Sequence, residues 1–339
     1  MGMWTEAIET RARIIHAQLA AARHLASTHG ADPESVSEPY LQLLRSLYSD
    51  EYQFAQIADS ADLVARFTGP AVSRRDPSVS IVAGVFTDLR DQIRGIAKSI
   101  VGLSDSSRLR WPSELDPHLS GVAYGSLIIG VSVPRPSDFP EPGEQFALPA
   151  MSDAVFESVR SAVRSLSNVA RYLDDQKLDE SIFEEYPDPA IRDTVLVAAS
   201  RLAPSGRRGI EAVMLTDSDN GRGETPALTS SSRKTLNQAL AKPLRMSGVG
   251  EFEGVVREID LDARRFEIRQ VRGAGAIRCI YDPRMHDQVR GILDSQVRVT
   301  GGFETFADRA PRLVAVETIK IVRSAEEQIS IPLEDRDEL

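Results

Sequence analysis

Apolar residues recur at helical spacing through most of the first 245 residues. The segment 4–28 is the clearest case, because one side of a helix there carries Trp4, Ile8, Ile15, Leu19, Ala22 and Ala26. Gly30 follows, and glycine commonly ends a helix at that position. The pattern predicts a leading amphipathic helix that packs on its own domain or on a second copy of the chain.

The same spacing predicts further helices, several of which begin at an Asp-Pro or Ser-Asp pair. They cover residues 40–48, 76–101, 153–173, 188–202 and 231–240. Shorter apolar runs predict strands at 119–133, 209–216 and 225–228. Five prolines fall between residues 134 and 149, a density that excludes a regular helix or central strand. The first 245 residues are therefore predicted to form a helix-rich α+β domain, with the proline-rich loop 134–150 as a candidate subdivision.

From residue 248 to residue 322 the hydrophobic period changes from helical to alternating. Asp282 and Pro283 are expected to open a short helix inside this region. Gly301-Gly302 is expected to end a strand, and broken alternation near Thr318 indicates a β-bulge. The predicted strands lie near residues 251–257, 265–269, 276–281, 296–300 and 313–322.

Three strands, a helix and two more strands is the element order of the OB-fold, a five-stranded Greek-key barrel. By this order, about 75 of the 339 residues, 248–322, resemble an OB-fold domain. An SH3-like or Sm-like barrel is the alternative, which the helix after the third strand disfavours. The predicted class is α+β: a helix-rich α+β domain (1–245), an OB-like five-stranded barrel with one helix (246–324) and an acidic tail (325–339).

The OB resemblance implies a binding face on the middle strands, of a kind that often holds single-stranded nucleic acid through arginines and stacked aromatics. The candidate residues are Arg257, Arg265, Arg269, Arg278 and Arg298, with Phe303 and Phe306 in the final loop. The alternative is a solvated face in which these arginines pair with nearby acids. Residues 246–324 hold 13 Arg or Lys and 12 Asp or Glu, a net charge of +1. Nucleic-acid-binding domains usually have a clearer positive excess.

Composition narrows the setting. The chain has a net charge of −10, which argues against generic binding to DNA or to anionic membranes. Its single cysteine, Cys279, excludes an intrachain disulfide and fits a reducing compartment. The first residues lack a signal-peptide pattern, and no apolar run approaches the ~20 residues that span a bilayer. We therefore expect a cytoplasmic protein without membrane contact.

Motifs for catalysis or for metal binding are scarce. The chain lacks a Walker-type phosphate loop and a His-Glu-x-x-His pair, so no cofactor, metal or catalytic residue is predicted. Cys279 and His286 allow a nucleophile–base pair, but a buried inert thiol is favoured, because Cys279 lies within an apolar strand. The loop 217–224 resembles a calcium loop, but Gly221 stands where a ligand is needed, so a hairpin turn is favoured.

Three functional hypotheses follow. The first is a non-catalytic binding or regulatory protein that acts through protein–protein contacts, including self-association through the leading helix. The second is single-stranded nucleic-acid binding on the barrel face. The third is an enzyme whose site forms only in the fold, for example from a cluster of acids that equally fits the start of a helix: Glu184, Glu185, Asp188 and Asp193. The acidic tail 325–339 is either a solubilising segment or a short added strand.

Overall fold

The computed structural model describes residues 2–73, 76–102, 115–123, 126–138, 153–173, 177–217, 226–241, 245–306 and 310–323. The acidic tail, most of the proline-rich loop and the calcium-like loop after Asp217 lie outside these residues. Helices and two sheets make up the described part, so the predicted α+β class is confirmed. None of the helices in the described part of the chain has both the length and the apolar content needed to span a bilayer.

The described residues group into two compact units. One takes those within Met1–Arg94, Trp111–Arg171 and Arg201–Arg233, and the other takes those within Gly95–Arg110, Tyr172–Ser200 and Lys234–Leu339. The domain boundaries expected from the sequence stay a prediction. The α-helices are α1 (Met3–Thr28), α2 (Glu38–Ser46), α3 (Tyr52–Ala58), α4 (Val79–Val101), α5 (Asp153–Asn168), α6 (Ile182–Glu185), α7 (Pro189–Leu202), α8 (Ser230–Leu240) and α9 (His286–Arg290).

The sheet of the first unit is antiparallel throughout, with the strand order β2-β3-β1-β4-β5. Its strands are β1 (Leu63–Thr68), β2 (His118–Ala123), β3 (Leu127–Ser132), β4 (Ala212–Asp217) and β5 (Leu228–Thr229). The central strand β1 was not predicted from the sequence. Leu63, Val64 and Ala65 are all buried, so β1 lacks the alternation by which a half-exposed strand is recognised.

Helix α1 packs within the first unit through the apolar row that the sequence predicts. Ile8 and Ala12 lie in one cluster with Leu44, Leu47 and Ala55. A π-helical turn, Leu47–Glu51, joins α2 to α3, so the helical segment predicted at 40–48 begins earlier and continues to Ala58.

Asp59 holds the first turn of α1. Its carboxylate accepts the backbone N–H of Trp4 at 2.8 Å and that of Thr5 at 3.0 Å, and it also accepts the Thr5 hydroxyl. The first backbone N–H groups of a helix have no carbonyl partner within it, so the Asp59 side chain caps α1 from outside the helix. Partial burial acts to raise the pKa of Asp59, but the hydrogen bonds from Thr5 and Trp4 outweigh it and hold the pKa below the usual value.

The second unit contains a closed five-stranded barrel, so the predicted barrel is confirmed at this level. Around the ring the order is β10-β8-β7-β6-β9, and β9 pairs with β10 to close it. Only the β8–β10 pairing among those five is parallel. The strands are β6 (Gly248–Asp260), β7 (Arg265–Val271), β8 (Gly275–Ile280), β9 (Gln296–Glu304) and β10 (Leu313–Arg323).

Two local predictions for the barrel have different outcomes. The pairing of β9 with β10 shifts register between Val316 and Thr318, so the predicted bulge is confirmed. Gly301 and Gly302 do not end the fourth strand, because β9 continues to Glu304. They serve close packing instead: a Cβ on Gly301 would lie 2.0 Å from the Ala315 carbonyl oxygen.

The barrel core is filled by alternate residues of the strands and closed by α9. Fully buried members include Val256, Ile268, Val297 and Val299. Val289 of α9 packs into the same cluster. Asp282 begins this helical segment as predicted, by accepting the backbone N–H of Arg284, and Pro283 takes the first helical position in a 3-10 turn.

Candidate interaction face of the barrel

The outer face of β7 and β8 carries three of the arginines that the sequence analysis selected. Arg265 and Arg269 alternate with core residues along β7, and Arg278 of β8 is in register with Glu267. Within the second unit, α7 lies against this face and supplies acids to it. We call these β7 and β8 positions, together with Arg312 just before β10, the arginine face.

Arg265 forms the most enclosed contact. Its Nε and Nη2 atoms donate to the two carboxylate oxygens of Asp193, at 3.0 Å to Oδ2 and 2.7 Å to Oδ1. Nη2 also donates to the backbone carbonyl of Leu240 at 3.1 Å. Asp193 has no exposed surface and Arg265 is only 6% exposed. A two-pronged arginine–carboxylate contact of this kind fixes geometry as well as charge.

Arg278 reaches the same carboxylate from the neighbouring strand. Its Nη1 atom lies 3.7 Å from Asp193, and it donates a hydrogen bond to the Thr194 hydroxyl. That hydroxyl in turn donates to the backbone carbonyl of Ala190 at 2.7 Å, one helical turn earlier. Asp193 therefore has arginine partners on two adjacent strands.

Arg312 holds the beginning of α7. Its Nη1 atom donates to Asp188 at 2.6 Å, and Nη2 donates to the backbone carbonyl of Ser99 at 3.1 Å. The other carboxylate oxygen of Asp188 accepts the backbone N–H of Ala190 at 2.9 Å, so this acid also caps α7. The start of α7 after Asp188 was predicted, and its engagement by Arg312 was not.

A further buried ion pair joins α7 to the barrel, with the arginine on the helix and the acid on the strand. Arg192 of α7, 1% exposed, donates to Glu304 at the end of β9 at 2.5 Å and to the Tyr186 carbonyl at 3.0 Å. Burial lowers the pKa of Arg192, and the charge of Glu304 opposes that shift. The guanidinium lies 4.2 Å from the centre of the Phe183 ring, and Arg245 lies 4.1 Å from the same ring centre.

The remaining candidate arginines pair with acids of the barrel itself. Arg269 donates to Glu267 at 2.6 Å, and burial raises the pKa of Glu267 although that hydrogen bond acts to lower it. Arg257 donates to Asp294 at 2.9 Å on the exposed surface.

Arg298 of β9 lies within a small acidic group. It donates to Glu253 at 2.8 Å and lies 3.5 Å from Glu251. The hydrogen bond lowers the pKa of Glu253 and raises that of Arg298. These contacts match the solvated, charge-paired face that was the alternative interpretation of the sequence.

The two aromatic candidates differ in position. Phe303 lies within β9, and not in the final loop where it was expected. Its ring meets that of Phe252 edge to face at 5.7 Å, and both pack on the barrel core. Phe306 follows β9 and is half-buried. The structure thus brings Arg265 and Arg278 together at Asp193 and leaves Arg257 and Arg298 in separate ion pairs.

Five residues of the contact between α7 and the barrel were not predicted as binding residues: Asp188, Arg192, Asp193, Glu304 and Arg312. One signal was available: Arg192 and Asp193 interrupt an otherwise apolar helix between Ile191 and Val195. Charged residues in such a position usually have charged partners when they are buried. The four acids considered for acid–base chemistry do not share one environment: Glu184 and Glu185 are exposed on α6, whereas Asp188 and Asp193 are buried.

Other chemistry has little support in the part of the chain that the structure describes. It holds no group of three or more His, Cys, Asp or Glu residues placed to bind a metal ion. A groove of about 170 Å³ in the first unit is lined by apolar residues together with Thr87, Arg90 and His118, and no carboxylate is among its described lining residues. Cys279 is fully buried, and burial raises the pKa of its thiol.

In comparisons with known protein families, with curated proteins and with solved structures, nothing matches this chain.

Proposed function

We propose that this chain acts by binding protein, and that its barrel is an OB-fold whose ligand face holds a helix. The ring order of the strands supports the fold assignment, because the fifth strand lies between the third and the fourth, parallel to the third. That is the arrangement of a five-stranded Greek-key barrel. The position of α9 between the third and fourth strands agrees with it.

The observation that carries the proposal is the engagement of the arginine face by Asp188 and Asp193. The face that the OB resemblance assigns to a ligand is occupied by two carboxylates five residues apart, that of Asp188 at the cap of α7 and that of Asp193 within α7. A surface complementary to a helix in shape and charge is suited to protein contact. Single-stranded nucleic acid would need these arginines free to neutralise phosphates.

Single-stranded nucleic-acid binding is the second candidate, and the rest of the barrel surface favours it less. Arg257, Arg269 and Arg298 each have an acidic partner within 3 Å. Ion pairs on the surface leave little net field to attract a polyanion. We therefore place protein contact first, in a cytoplasmic setting consistent with one buried thiol.

Anisotropy titration of a labelled single-stranded oligonucleotide separates the two candidates. For protein contact, the full chain gives no arginine-dependent binding, and Arg269→Glu with Arg298→Glu leaves the titration unchanged. Binding tighter than about 1 μM that this double variant weakens, with a flatter salt dependence, would establish nucleic-acid binding instead. Arg90→Glu with Arg208→Glu is the matched control, because it makes the same charge change on exposed arginines of the first unit.

A further inference from the structure

Helix α4 and the edge of the sheet border the groove of about 170 Å³ in the first unit. Its helix side includes Phe86, Leu89 and Ile93, which follow one another at intervals of three and four residues and so lie on one side of α4. Its sheet side includes Leu119 and Val131, which are register partners on β2 and β3. The groove therefore lies between two apolar surfaces of one unit.

Packing within the unit uses only part of this apolar surface. Ile93 and Val131 are 1% and 6% exposed, so both belong to the core. Leu119 is 56% exposed although it pairs with Val131. Strand β2 is the outermost strand of the sheet in the described part of the chain, so no described strand lies beyond Leu119. The groove thus offers apolar contact area to a ligand that enters from this edge.

The polar groups of the groove can all donate hydrogen bonds. They are Thr87 and Arg90 of α4 and His118 of β2. Thr87 and Arg90 are three residues apart, so they lie on one side of the helix. No carboxylate belongs to the described lining. An apolar lining with a few polar groups is typical of a small-molecule site, and the sign of these groups favours an anion.

Arg90 has donor capacity left for a ligand. Its Nε and Nη2 atoms both donate to one oxygen of Asp91, at 3.2 Å and 3.1 Å. Within the described residues, neither Nη1 of Arg90 nor the ring of His118 has a hydrogen-bond partner. The ion pair with Asp91 is exposed, and pairs of this kind are weak. Asp91 therefore competes only weakly with the carboxylate of a ligand.

We propose that this groove binds a small carboxylate with a compact apolar body, about the size of benzoate. An apolar cavity of about 150 Å³ accepts benzene, so the groove has room for one ring and its carboxylate. The ring contacts Phe86 and Leu119, and the carboxylate accepts hydrogen bonds from Arg90 and His118. This site belongs to the first unit and goes beyond the protein contact proposed for the barrel.

Equilibrium dialysis of the full chain against radiolabelled benzoate tests the proposal. We expect one site per chain with a dissociation constant of about 0.1–1 mM, which is typical of a ligand of this size. Benzyl alcohol and benzylamine carry the same ring on a neutral group and on a cation. Each should bind at least about 5-fold more weakly than benzoate, because neither can form the charged contact with Arg90.

Substitutions separate the charged contact from the apolar one. Arg90→Gln should weaken benzoate binding about 10-fold and leave benzyl alcohol binding unchanged. Asp91→Asn should tighten benzoate binding about 2–5-fold, because Arg90 loses a competing carboxylate. Leu119→Ser should weaken the binding of both ligands, since both contact the same apolar wall. Arg45→Gln is the matched control, because it removes an exposed arginine that pairs with Glu38 on α2, and it should change neither.

Circular dichroism checks that the variants keep their fold, as the exposure of Arg90, Asp91 and Leu119 leads us to expect. Wild-type chain that binds no benzoate at about 10 mM overturns the proposal. So does benzylamine binding as tight as that of benzoate, or benzoate binding that Arg90→Gln leaves unchanged. An equal loss of benzoate binding in Arg45→Gln would indicate a general charge effect and would also overturn it. The barrel arginines take no part in this site, so these outcomes are independent of the proposed function.

Discussion

Asp193 is the residue on which the contact between α7 and the barrel depends most. It is fully buried and has arginine partners on both β7 and β8. A buried ion pair contributes little net free energy compared with well-packed apolar residues, because both charges lose their hydration. Removing one partner is far more costly, since it leaves the other charge buried and unpaired. We interpret the pair as a device that fixes the position of α7 on the barrel.

We predict that Asp193→Ala lowers the free energy of unfolding by about 3–5 kcal/mol, because Arg265 is left buried without a counter-charge. Urea denaturation followed by circular dichroism measures the change. Adding Arg265→Ala should cost less than the sum of the two single substitutions. Asp91→Ala is the control, because it removes an exposed partner of Arg90 within helix α4, where alanine fits the backbone, and should cost less than about 1 kcal/mol. Equal costs for Asp193→Ala and Asp91→Ala would contradict this account.

Asp59 gives α1 a dependence on pH. Its pKa is lower in the folded chain than the value of 3.8 for a free side chain. Its contribution to stability is therefore fully present above about pH 4 and is lost as the pH falls through the folded pKa. Asp59→Asn should destabilise the chain by about 1 kcal/mol near neutral pH, as the loss of a helix cap does.

The measurement is the difference in denaturation midpoint between wild type and Asp59→Asn. This difference should narrow as the pH is lowered from about 7 through the folded pKa of Asp59, because protonation then removes the charge of the wild-type carboxylate as well. Asp50→Asn, at an exposed position of the same unit, should give a small difference at both ends of the range. A difference for Asp59→Asn that does not vary with pH would exclude the capping role.

At the scale of elements, sequence periodicity located most helices and all five barrel strands. Period-two alternation is a local property, so β6 to β10 could be recognised without their partners. The central strand β1 escaped, because burial on both sides removes alternation. The end of β9 was misplaced because glycine commonly ends a strand, whereas Gly301 here admits a neighbouring strand at close range.

Gly301→Ala should disturb the closure of the barrel between β9 and β10. Its Cβ would lie 2.0 Å from the Ala315 carbonyl oxygen, so the two strands must separate locally. We expect a loss of about 1–3 kcal/mol in unfolding free energy, the range typical of overpacking. Gly291→Ala is the control, because its nearest neighbour lies at an ordinary 3.8 Å and its φ of −94° suits alanine. Urea denaturation that gives equal midpoints for the two variants would contradict this assignment.

For the whole molecule, the fold class could be predicted from the sequence, but which surfaces pack against each other could not. Alternation showed that Arg265 and Arg278 point away from the barrel core. It carried no information on what covers them, because Asp193 lies 72 residues from Arg265 along the chain. The near-neutral charge of the barrel was the better guide, since ion pairing on its surface is what such a balance allows.

The position of Cys279 has a practical consequence. The chain's only thiol lies in β8 with no exposed surface, so reagents in solution meet it only when the barrel opens. The rate at which Cys279 is alkylated therefore reports how often the second unit opens, and no engineered label is needed to measure it. The same enclosure leaves the native surface free of thiols, so a spectroscopic probe attached to an introduced cysteine would be the sole reporter on the folded chain.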